Sequence, residues 1–162
     1  MDPTSTKSDV PTRETSPKPV SIILFLIALF GPAAYMYSGF SYSSTSQIVA
    51  AMWYVYTYFD SFSPTPATNS YFDPFMIFAS LPLLFLRYVF VFMMYRLYSG
   101  KTTRKRAILS GIAAELQIPA MYYIMMIPAF LLYPLGYGFQ LPIILPVPLL
   151  FLCGYLILKI KP

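Results

Sequence analysis

The chain has no histidine and a single cysteine, Cys153, among its 162 residues. One cysteine cannot close an intramolecular disulfide, and without histidine the usual zinc and haem ligand sets cannot be assembled from one copy. Cys153 lies inside an apolar run and reads as a small hydrophobe. Charge is scarce too: Asp, Glu, Lys and Arg make up 10% of the residues, against about a quarter in an ordinary soluble domain. Glycine-rich phosphate loops, a G-x-S-x-G turn and paired acids in one polar segment are also missing, so the sequence carries no catalytic motif. Neither enzyme activity nor a cofactor is expected.

What is present is apolar and aromatic. Hydrophobic residues account for 57% of the chain, and Phe, Tyr and Trp for 19%. The remaining polar groups are too few to cover that surface in water, which predicts an integral membrane protein, in the cell membrane, with both termini cytoplasmic. In a soluble protein the net charge of +5 would raise nucleic acid as a partner. Here nearly all Lys and Arg fall between apolar runs, the pattern of a topology signal and of attraction to anionic head groups. The expected partners are membrane lipids, other membrane proteins or further copies of the chain, and not nucleic acid.

Residues 1–19 are rich in Ser, Thr and Pro with charges of both signs, which predicts a disordered cytoplasmic tail. Residues 20–162 predict one all-α transmembrane domain of four helices in two hairpins. The spans fall at about 20–37, 74–98, 107–133 and 141–158, judged against the roughly 20 helical residues that cross a hydrocarbon core. Pro32 interrupts the first, whose basic flank and following small residues also fit a cleaved signal peptide. Pro119 and Pro128 predict kinks in the third helix. Pro142, Pro146 and Pro148 predict a kink in the fourth, an irregular stretch being the competing reading.

Residues 39–73 form the outer loop of this scheme and hold no Lys or Arg. Within it, Ile48, Met52, Val55 and Phe59 share a helical stripe, and Trp53, Tyr54, Tyr56 and Tyr58 add amphipathic rings. That combination predicts an interfacial helix, although the aromatic and β-branched residues from Trp53 to Phe59 also suit a strand. The basic residues Arg96, Lys101, Arg104, Lys105 and Arg106 fall at the turn between the second and third spans, as a topology determinant and an anionic-lipid cluster.

Two ionisable residues lie well inside apolar runs, Arg87 and Glu115. A charge there costs about 2.5–3.5 kcal/mol on insertion scales, so each needs a partner or a wet site. They are equally far in sequence from Lys101, so two antiparallel helices would place them at equal depth. Gly111 and its small neighbours would let those helices approach closely, and Gln117 adds a hydrogen-bonding group nearby. The functional expectation is a small non-catalytic membrane subunit or interaction scaffold. The alternative is a transporter or channel protomer with a polar site around Arg87, Glu115 and Gln117.

Overall fold

The computed structural model describes residues 16–40, 42–63, 65–132 and 142–160. The expectations for residues 1–15, and for the ends of the third and fourth spans at 133 and 141, lie outside the described residues. In chain order the elements are α1 (Pro17–Phe30), β1 (Ala34–Phe40), β2 (Ser43–Val49), β3 (Trp53–Asp60), β4 (Ala67–Phe72), α2 (Met76–Tyr98), α3 (Arg104–Leu132), β5 (Ile143–Pro146) and α4 (Leu149–Ile160). The five strands form one antiparallel sheet in the order β4-β3-β2-β1-β5.

The chain is therefore mixed α and β, which overturns the expected all-α four-span architecture. Among the described residues, only α2 and α3 are long and apolar enough to cross a membrane. At about 1.5 Å per residue, the 14 residues of α1 and the 12 of α4 cover roughly 21 and 18 Å.

Local chemistry explains each departure. Pro32 has no N–H and forces the residue before it out of the helical region. Gly31 accordingly takes φ −72° and ψ 145°, which ends α1, and the rest of the first apolar run becomes β1. The expected interfacial helix at 47–59 is instead the end of β2, a tight turn and β3. Trp53, Tyr54, Tyr56 and Tyr58 sit on that third strand. In the fourth run Ile143–Pro146 pairs with β1, Ala34 facing Pro146, and helix begins only at Leu149. A kinked fourth span is thus replaced by a strand and a short helix. Pro119 and Pro128 lie within α3, which runs unbroken through both.

The helices pack at the end carrying the basic turn. Leu24, Phe90, Met94, Leu150 and Leu158 form one buried cluster there, with Val20, Leu97 and Ile108 against it. The Phe90 ring lies between two glycines: a Cβ on Gly154 would meet it at 2.5 Å and one on Gly111 at 2.9 Å. The Tyr98 hydroxyl donates to the Ile157 carbonyl at 3.1 Å, tying the end of α2 to the end of α4. The turn after α2 is a Schellman motif. Lys101 N–H bonds the Arg96 carbonyl and Gly100 N–H the Leu97 carbonyl, with Gly100 at φ 72°.

The sheet meets the other half of α2 and α3 through Ala34 and Ile144, which pack with Leu84 and Ile118, with Met36 and Tyr122 alongside. Its base is held where the Ser80 hydroxyl donates to the Ala51 carbonyl at 3.2 Å. Aromatic rows occupy that base: Trp53 faces Phe72, and Tyr54 faces Tyr71 with stacked rings 4.8 Å apart. Further from the helices the rows turn to Ser and Thr, as in Ser46, Thr57 and Thr68. The fold thus has an apolar helical body and a sheet that mixes Ser and Thr with exposed aromatics, Tyr42 stacking on Phe62 at its far end.

Candidate functional site: a charged layer where two helices stop

A helix end leaves backbone groups without intrahelical partners, carbonyls at the C-terminus and N–H groups at the N-terminus. The C-terminal end of α1 and the N-terminal end of α4 meet here. A Cβ on Gly31 would lie 3.3 Å from Leu149 Cδ2. Both breaks are made by proline, Pro32 after α1 and Pro148 before α4.

Arg87 and Glu115 reach these two ends from the flanking long helices. Arg87 Nη2 donates to the Pro32 carbonyl at 3.4 Å, just past the last turn of α1. Glu115 Oε1 accepts from the N–H of Phe151, in the first turn of α4, at 3.1 Å. Each charge matches the local helix dipole, a cation at a C-terminal end and an anion at an N-terminal end. Both side chains are enclosed, Arg87 1% and Glu115 7% exposed. Each feels the other's charge, yet among the described residues they make no direct ion pair. Arg87 Nε and Nη1, Glu115 Oε2 and the Tyr88 hydroxyl are buried with no hydrogen-bond partner among the described residues. Tyr88 is the member the sequence reading missed; its position next to Arg87 was the available signal.

Gln117, two residues beyond Glu115 on α3, belongs to a different device. Its Oε1 accepts from the Leu86 N–H and its Nε2 donates to the Pro82 carbonyl, each at 2.7 Å. Leu86 and Pro82 are the two partners of one regular helical rung, and Pro82 lies inside α2. Its ring crowds the preceding turn and withholds a donor. The amide of Gln117 lies across the next rung, Pro82–Leu86, and bonds both of its groups.

The basic residues sit apart from this layer. Arg96 is half-buried in the last turn of α2, its guanidinium 6.0 Å from the Phe92 ring and its Nη2 donating to the Lys101 carbonyl at 3.4 Å. Lys101, Arg104, Lys105 and Arg106 are exposed. Three of these cations open α3, where the helix dipole disfavours positive charge, so helix stability does not explain them. Trp53 donates from Nε1 to the Phe30 carbonyl at 2.8 Å, a second side-chain partner for the end of α1. Tyr54 stacks on Tyr71 at the sheet base, while Tyr56 and Tyr58 pair across β3 with Asn69 and Ala67.

Among the described residues no group of three or more Cys, Asp or Glu is placed to hold a metal ion. The charged layer offers a carboxylate, a guanidinium and a phenol. It holds helix ends and has the means to bind water or a small polar group, with no nucleophile placed beside a base. No protein-family model matches the chain, and neither a curated protein nor a solved structure matches it significantly.

Proposed function

We propose that the protein is a non-catalytic integral membrane subunit or scaffold. In this reading α2 and α3 cross the bilayer, α1 and α4 enter from the basic side and stop part-way, and the sheet stands on the opposite side as the recognition surface. One observation carries the reading: the helical body is apolar on its outside as well as in its core, and it buries the two charges that lie within its apolar runs. Arg87 and Glu115 are buried, whereas Leu109, Ile22 and Leu156 on three helices are 68%, 59% and 56% exposed. Water does not favour that distribution, and lipid does.

The charged layer then has a structural task. Backbone groups at membrane depth must find partners inside the protein, because hydrocarbon supplies none. Arg87, Trp53 and Glu115 supply them at the two helix ends. The positive-inside rule orients the fold, since the basic residues of the α2–α3 turn, with Lys18 and Lys159, belong to the end away from the sheet and so face the cytoplasm. The aromatic rows at the sheet base fall near the outer interface, the depth that Trp and Tyr prefer. Strand β4 is exposed at all six residues and carries no Lys, Arg or Pro to blunt its edge. A partner protein's strand can add there.

The test begins with carbonate extraction of membranes holding the full chain, which should leave the protein in the pellet. In a Cys153→Ser background, Asn69→Cys and Thr102→Cys should react with an impermeant maleimide from opposite sides. Release by carbonate, or labelling of both sites from one side, would sink the topology. A second reading, a transport protomer, draws on the unpaired polar atoms of the layer. Ala114→Cys, beside Glu115, should stay unreactive toward a small hydrophilic methanethiosulfonate; ready labelling would favour a water-filled pathway over a scaffold.

A further inference from the structure

A groove of about 430 Å³ runs between α1 and α2 on the outer surface of the helical body. Ser21, Phe25 and Leu26 form one wall, Tyr88, Phe92 and Tyr95 the other. Apart from Ser21 and the tyrosine hydroxyls its lining is hydrocarbon.

The two ends of the groove differ. At the end nearer the charged layer it closes on Tyr88, whose ring lies 6.1 Å from that of Phe25. The other end opens toward the basic side. There Lys18 sits on the α1 face that continues through Ser21 and Phe25, one turn earlier, and is exposed. Arg96 follows Phe92 by one turn on α2, its guanidinium held beside that ring. The helices are antiparallel neighbours, so the steps from Ser21 back to Lys18 and from Phe92 on to Arg96 both lead beyond the lining toward that same end.

We infer that this groove seats one anionic phospholipid, with its phosphate between Lys18 and Arg96 and one acyl chain lying along Phe92 and Phe25 as far as Tyr88. The inference rests on the membrane reading above and adds to it a lipid of stated charge at a stated place. Charge complementarity selects the occupant: two basic side chains at the mouth of an apolar cleft match an anionic head group on a hydrocarbon tail, and a zwitterionic lipid would set its own cation against them. Arg96 is also pre-positioned by its ring contact and its bond to the Lys101 carbonyl, so little side-chain freedom is lost on binding.

Tryptophan quenching in reconstituted vesicles tests this. The full chain is prepared with Trp53→Phe, and a reporter is placed in the groove by Phe92→Trp or on the exposed face of α4 by Leu156→Trp. Brominated phosphatidylglycerol is compared with brominated phosphatidylcholine. The groove reporter should favour the anionic lipid by at least about fivefold, the scale one basic side chain provides and below the roughly thirtyfold of two, and the α4 reporter should show a ratio near one. Adding Lys18→Gln and Arg96→Gln should bring the groove ratio to about that of the α4 reporter. Equal ratios at the two reporters, or a preference that survives loss of both cations, overturns the groove. If neither reporter is quenched and the protein fails to float with vesicles, the membrane reading itself has failed.

Discussion

Replacing Gln117 with leucine keeps the side-chain size and removes both hydrogen bonds across the Pro82–Leu86 rung. Each is 2.7 Å long and bridges two helices that must stay in register. A stranded buried donor or acceptor costs about 1–3 kcal/mol, but these two groups are each other's natural helical partners and regain part of the loss if α2 straightens. The expected net cost of Gln117→Leu is therefore about 1–2 kcal/mol. Gln117→Glu should cost more, because an ionised carboxylate only accepts and would face the Pro82 carbonyl. Trp53, the single tryptophan, lies at the end of α1 and reports unfolding in mixed micelles titrated with dodecyl sulfate. The order of stability should be native, then Gln117→Leu, then Gln117→Glu. A Gln117→Leu variant within about 0.5 kcal/mol of the native protein would refute the bridging argument.

Two further outcomes follow from the same packing. Arg87→Met and Glu115→Gln each leave one buried charge without its counter-charge, and their combination should be less damaging than the sum of the singles by at least about 0.5 kcal/mol; additive losses in the same micelle titration would show that the two charges act separately. Gly154→Val pushes a side chain into the Phe90 ring and should destabilise by about 1–3 kcal/mol, with Phe90→Leu in the same chain recovering part of it. A tolerated Gly154→Val, measured by thermal unfolding in detergent, would mean that the ring has room to move.

The sequence made some of this legible and hid the rest for physical reasons. Span limits of 74–98 and 107–133 fall close to Met76–Tyr98 and Arg104–Leu132, because long apolar runs that end in cations give a strong signal. Arg87 and Glu115 were conspicuous as charges inside those runs; the helix ends they reach were invisible until the breaks at Pro32 and Pro148 were known. The strands escaped notice one by one. Apolarity alone cannot separate Tyr35-Met36-Tyr37 in β1 from the helix before it. The Ser43–Ser46 stretch of β2 has almost no apolar alternation, and β4 is exposed along its whole length. Strand β5 has four residues, too few for any period to show. Trp53–Asp60 did carry strand composition, but a stripe at helical spacing ran through the same residues.

The pairing of β1 with β5 has a consequence for how the chain is built. These strands come from opposite ends of the sequence, with the whole α2–α3 hairpin between them. During synthesis the first four strands can zip together by local turns, but β1 must wait with one edge open until the last segment emerges. That late partner fastens the first helix to the last. A ribosome stalled or a chain clipped before Ile143 would release a protein with its hairpin intact and an adhesive sheet edge, a form that quality control has reason to remove.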